Sequence, residues 1–242
     1  MDALVDQIRT RYESILARID KACAQCSRSP DRVKLVVVSK KQPVEVIQRA
    51  IQAGTTRLGE NYPEEAQPKI MALGEDCPAG IEWHMIGHLQ SRKVRIIVEH
   101  FQYFHSLDSL SLAEKLSRQL AEAEKSLPTL LEFNVGAEES KHGWPAWDER
   151  HWDDLRPEIE KILQLPCLEV RGLMTMPPYF DDPELARPYF VKVCELRDYL
   201  ARLYPQAAWD ELSMGTSGDF EIAIQEGATF VRVGTAILGP RR

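Results

Sequence analysis

The 242-residue chain has no block of lysines or arginines, and its formal net charge is −7. Nucleic acid or an anionic membrane is therefore not its main partner, because either would need a concentrated positive surface. Long apolar runs are missing too. Stretches such as LVVV at 35–38 fall far short of the roughly 20 residues that cross a bilayer as a helix. The first ten residues, MDALVDQIRT, carry acids where a secretory leader needs a basic start and an apolar stretch, so a cytoplasmic location is expected. Cysteine is scarce at five residues, an odd number, which argues against a disulfide framework at this size. Cys23 and Cys26 form a C-x-x-C, but it falls at the end of a helical pattern with no second pair or spaced histidines. It reads as a helix flank and not as a redox or metal site. No Gly/Ser linker, low-complexity tract or short repeat divides the chain, so a single domain over 1–242 is expected.

Hydrophobic residues make up 44% of the chain, enough to bury a substantial core. Leu4, Ile8, Tyr12, Ile15, Ile19 and Cys23 recur at spacings of three and four, which predicts an amphipathic helix over about residues 2–26. From about 33 to 239 the chain alternates. Short β-prone runs at 34–39, 56–59, 81–86, 101–107, 129–135, 168–174, 210–213 and 229–233 are separated by helical patterns such as VEVIQRAIQAG and SLAEKLSRQLAEAEK. Eight such units in one continuous chain predict an α/β fold, a single (β/α)8 TIM-type barrel with an extra N-terminal helix. The least regular stretch, GWPAWDERHWDD at 143–154, holds three of the five tryptophans and is expected to pack on the barrel rim.

In such a barrel, chemistry is carried at the C-terminal ends of the strands. Those ends hold Ser39-Lys40-Lys41, then Gly59-Glu60-Asn61-Tyr62, then His84 with Ile86-Gly87, Asn134, and Met174-Thr175-Met176. The last two units end in Ser213-Met214-Gly215-Thr216-Ser217-Gly218 and Arg232-Val233-Gly234-Thr235. Small residues let backbone N–H groups approach a ligand, and phosphate binding after strands seven and eight recurs in barrels. A strand-end lysine facing a phosphate site suggests a phosphorylated aldehyde held as an imine. A free lysine ammonium has a pKa near ~10.4, so only about one in 2,500 is neutral at pH 7, and desolvation at a barrel mouth supplies the amine. His84 and His88 have H-x-x-x-H spacing but straddle a strand end and a glycine loop, which argues against a shared metal.

Seven ordered motifs carry a resemblance: VSK at 38–40, GENY at 59–62, EWHMIGHLQ at 82–90, FNVGAEESKHG at 133–143, RGLMTM at 171–176, LSMGTSGDFEIAI at 212–224 and VRVGTAILG at 231–239. Together they resemble the pyridoxal phosphate homeostasis proteins, the YggS-like group, whose fold is a barrel of the alanine-racemase N-terminal type. The resemblance implies pyridoxal 5′-phosphate (PLP) as cofactor, carried as a Schiff base on the lysine of the V-S-K motif, here Lys40. It further implies Arg232 at the pyridine nitrogen, and Asn61 and His84 along the ring and its 3′-hydroxyl. Ser213, Gly215, Gly234 and Thr235 are expected at the phosphate. Lys41 is expected to point away by strand alternation. Arg92 and Thr216 depart from the family pattern, which has asparagine and methionine there, without removing a group that aldehyde or phosphate requires.

Three functions compete at this point. The first holds PLP and influences its supply without a turnover reaction. The second is a PLP-dependent amino-acid enzyme such as a racemase, and the third a lysine-imine aldolase. Barrel racemases carry a second, β-rich domain after the barrel, whereas this sequence runs only nine residues past Val233, and an aldolase lysine usually lies on a later strand. The expectation is a non-catalytic, monomeric PLP-binding protein, with PLP and PLP-dependent apoenzymes as its partners.

Overall fold

A computed structural model describes residues 2–74, 77–138 and 141–240. Glu139 and Ser140 of the FNVGAEESKHG motif lie outside the described residues. Eight parallel strands form the barrel: β1 (Lys34–Val38), β2 (Arg57–Glu60), β3 (Glu82–Met85), β4 (Tyr103–Leu107), β5 (Leu127–Asn134), β6 (Leu168–Met174), β7 (Glu211–Thr216) and β8 (Phe230–Val233). Each pairs in parallel with its neighbours in sequence, and β8 closes the ring on β1 through Val36 opposite Arg232 and Val37 opposite Val233. The expected (β/α)8 barrel is therefore the observed architecture. A two-residue ladder, Trp144–Pro145, also runs beside the end of β5.

The helices are α1 (Ala3–Gln25), α2 (Val44–Gln52), α3 (Pro63–Leu73), α4 (Val94–His100), α5 (Leu110–Glu122), α6 (Arg156–Leu163), α7 (Arg187–Leu203), α8 (Phe220–Gln225) and α9 (Thr235–Leu238). Helix α1 starts at Asp2, whose side chain accepts from the Leu4 amide, and ends at Cys26. It buries Ile8, Ile15, Ile19 and Cys23 and packs on α2, α8 and α9, covering the seam between the first and last units. Arg18 anchors it there, with a two-pronged hydrogen bond to Glu221 at 3.1 and 2.9 Å and its guanidinium over the Phe220 ring. Cys23 and Cys26 are free thiols on this helix end, in keeping with a helix flank.

Alternation along each strand sorts side chains between two cores. Leu35 and Val37 of β1 face the helices and join the main apolar cluster, while Val36 faces the lumen with Tyr103, Leu130, Met174 and Phe230. The lumen is thus filled, as barrel interiors are. The tryptophan-rich stretch divides. Trp144 and Trp152 are buried, their indoles donating to Glu158 and to the Ala146 carbonyl, whereas Trp147 is exposed.

Candidate functional site

The inward row of β1, Lys34, Val36 and Val38, carries on past the strand to Lys40, which lines a chamber of about 130 Å³ at the C-terminal mouth of the barrel. Val38, Asn61, Ile86, Met176, Thr216, Ser217, Arg232, Gly234 and Thr235 form the remaining wall. Five residues singled out in the sequence, Lys40, Asn61, Arg232, Gly234 and Thr235, therefore share one space although they come from three different units of the barrel. Lys41 is exposed, but strand alternation is not the reason. The strand ends at Val38, and a left-handed turn at Lys41 (φ 58°) directs it out, its amide donating to Glu65.

That turn rests on a buried ionic cluster which sequence reading missed. Lys69 of α3 donates to Glu60 at 2.9 Å, to Glu65 at 2.5 Å and to the Ser39 carbonyl at 3.1 Å. The Ser39 hydroxyl donates to the same Glu60 oxygen at 2.8 Å. Burial pushes Glu60 above the usual carboxylate range, against the pull of Lys69. The cluster ties the end of β1, where Lys40 sits, to β2 and α3.

Arg232 is 4% exposed and makes three hydrogen bonds, to the Ser213 hydroxyl (2.6 Å), the Ser213 carbonyl (2.8 Å) and the Thr175 carbonyl (3.0 Å). Burial lowers its pKa to about 10, opposed by Asp219 and Glu132, so it stays cationic at neutral pH. Ser213 does not line the chamber. Its hydroxyl lies deeper, between Arg232 and His105 Nδ1 at 2.8 Å, where it holds the guanidinium in place. His84 also lies below the chamber, 1% exposed, stacked on Tyr103 with its Nδ1 2.9 Å from His105 Nε2. Burial holds His84 below its ordinary pKa and His105 well below, so both rings are neutral. One proton arrangement serves the two inner links: Ser213 donates to His105, which donates to His84, whose Nε2 is directed at Glu82 3.5 Å away without closing a hydrogen bond. Gly215 is likewise outside the wall. A Cβ there would sit 2.6 Å from Ala223 Cβ, so this glycine lets β7 lie close against α8.

The chamber suits a phosphorylated aldehyde on several counts. At Gly234 a Cβ would come 3.1 Å from the Val38 carbonyl, so the wall is bare backbone there. The first internal donors of α9 are Ile237 and Leu238, leaving the amides before them at the chamber edge. Asp219, at the start of α8, turns its carboxylate back to accept from the Thr216 amide (2.6 Å) and hydroxyl (3.0 Å), closing the turn that leads into the helix. Asn61 Oδ1 is buried without a donor.

Residues 12–242 match the family model described as alanine racemase, N-terminal domain. The pyridoxal phosphate homeostasis protein of Aquifex aeolicus is 41% identical over 232 residues, spanning 96% of this chain and 97% of that protein. The chain belongs to the pyridoxal phosphate homeostasis proteins. PipY of Synechococcus elongatus, solved with PLP bound, superposes with a TM-score of 0.82 at 35% identity, covering 96% of this chain and all of that one. Alanine racemase of Clostridium difficile shares the fold alone (TM-score 0.67, 14% identity), and the match covers 56% of that chain.

A feature of this homeostasis-family barrel with little sequence signal is a second cavity of about 180 Å³ beside the first, sharing Asn61, Ile86 and Met176 with it. Glu132 and Asn134 line it from β5, and His88, Lys141 and His142 from the loops. His88 Nδ1 lies 2.7 Å from Asp108, and its ring stacks on His142 at 3.7 Å with 9° between planes. Their nitrogens and an Asp108 oxygen lie within 4.8 Å of one another. Parallel rings direct their lone pairs along parallel planes, not to a common point, so this trio is arranged as a stack and a hydrogen bond. Among the described residues no helix is long and apolar enough to cross a membrane.

Proposed function

We propose that this protein binds PLP in the Lys40 chamber, holds it as an imine on the Lys40 amine, and serves PLP homeostasis by storing and releasing the cofactor without turning over a substrate. The observation that carries this reading is the meeting of Lys40, Arg232, Asn61, Gly234 and Thr235 around one chamber. When bound, PLP supplies an aldehyde that condenses reversibly with amines, so a lysine that holds it masks a reactive group. The chain's residues then divide the work. The bare backbone at Gly234, the start of α9 and the Thr235 hydroxyl receive the phosphate. Asn61 Oδ1 accepts from the 3′-hydroxyl. Arg232, fixed by Ser213 and Thr175, faces the ring nitrogen. A guanidinium there cannot accept a proton and favours the unprotonated ring, which weakens PLP as an electron sink. Ser213, His105 and His84 support Arg232 from below, and Gly215 supports the α8 turn.

The relatives' names and the PLP-bound PipY structure favour PLP over the sugar phosphate of an aldolase. The test is the visible spectrum of purified protein incubated with PLP. An imine absorbs in the visible and loses that band on borohydride reduction. A colourless protein after incubation would remove the reading.

A further inference from the structure

Glu132 sits in the barrel lumen, because strand alternation on β5 puts it on the same side as Leu130, and it is 9% exposed. Its Oε2 and the Asn61 Oδ1 are both buried without a donor, and both residues line the second cavity. Folded proteins seldom leave such acceptors unpaired, so this wall is short of donors. It is short of positive charge as well. Asp108 repels Glu132, and the cations near it are already engaged: Arg232 gives three of its N–H groups to Ser213 and Thr175, and the Lys141 ammonium is held by Glu138 and the carbonyls of Met176 and Pro177. A ligand that matches both needs carries a positive charge and several N–H donors in a compact group. Water or an alcohol would supply donors but leave the repulsion in place. We propose that the second cavity binds the ammonium group of a small primary amine of amino-acid size, with Glu132 as its charged acceptor and one of the two lone pairs of Asn61 Oδ1 as its other, the second lone pair being left for the 3′-hydroxyl of the reading above.

Burial and Asp108 raise Glu132 to about 7, so this carboxyl changes charge in the neutral range. Asp108, just past the end of β4, and Arg232 of β8 act on its charge, and His88, Lys141 and His142 share its cavity. An amine held there lies beside Lys40. Its relevance to PLP rests on the reading above, but the binding itself does not.

The experiment uses the full cofactor-free chain and NMR titration with glycine, methylammonium and N-acetylglycine. Glycine and methylammonium should bind, N-acetylglycine should not, and affinity should rise between pH 6 and pH 8 as Glu132 loses its proton. The Glu132→Gln variant should bind at least about tenfold more weakly, the loss expected of a charge-assisted pair, and with a flattened pH dependence. Equal binding of glycine and N-acetylglycine, or unchanged affinity in E132Q, overturns the proposal. If E132Q does not fold, the three probes and the pH series on the unmodified chain still decide. Borohydride labelling of Lys40 on PLP-loaded protein reports separately. Ammonium binding without that label would leave this site standing and remove the cofactor reading.

Discussion

Arg232, Ser213 and Gly234 each carry a consequence that a single substitution can expose. Ser213→Ala removes the 2.6 Å contact that fixes Arg232, leaving a further N–H group of the buried guanidinium unpaired. Losing a hydrogen bond to a charged group typically costs about 1.5–3 kcal/mol. PLP dissociation measured by dialysis should therefore quicken by roughly tenfold or more, whereas an unchanged rate would mean that Arg232 needs no such support. Gly234 is a test of the phosphate wall. A bulky residue there presses on the Val38 carbonyl, so Gly234→Leu should weaken PLP more than pyridoxal, which lacks the phosphate. Equal losses, measured by fluorescence titration, would show that this loop does not read the phosphate. Ser213 also marks where sequence reading runs out at this scale. Its motif announces a small, hydroxyl-bearing strand end, but strand register decides whether the hydroxyl reaches the mouth or the lumen, and here it faces His105 and Arg232.

Single elements were legible to different degrees. The strands lie where the short β-prone runs place them, and β6 spans 168–174 as expected, because parallel strands buried on both faces read as short apolar runs. The mouth loops were less legible. Glu132, His88, Asp108 and His142 come from three successive units and meet only once the barrel has closed, so no local spacing announces them. Lys69 was missed for another reason. On an amphipathic helix a lysine four residues after Glu65 reads as a solvated pair, and its second partner, Glu60, lies on the preceding strand. Lys69 is 9% exposed and Glu60 fully buried, so Lys69→Met strands an uncompensated carboxylate. Breaking a buried pair from one side costs about 3–5 kcal/mol. Urea denaturation should register a loss of that order, while Lys69→Met with Glu60→Gln should recover much of it. A single variant as stable as the parent would show that the cluster does not hold the β1 turn.

The whole molecule should carry the signature of Glu132 in its stability. Burial raises this carboxyl from the ordinary 4.5 to about 7 in the folded chain, so the native state binds its proton more tightly than the unfolded one. Its contribution is fully present below the unfolded pKa and is lost as pH rises through about 7. The difference amounts to roughly 3 kcal/mol. E132Q should flatten that fall between pH 4.5 and 7, and a slope identical to the parent's would place the titration elsewhere. Function is also a property of the whole chain. If Arg232 faces the ring nitrogen as proposed, PLP-loaded protein incubated with L- and D-amino acids in deuterated water should show no efficient α-proton exchange by NMR. Hundreds of turnovers per minute on any substrate would restore the racemase reading. The central claim is that this family member carries PLP on Lys40, and its most direct test is borohydride reduction of the PLP-loaded protein followed by peptide mass mapping. The account predicts the reduced pyridoxyl phosphate label on Lys40, whereas a label on Lys41, or on neither lysine, would contradict it.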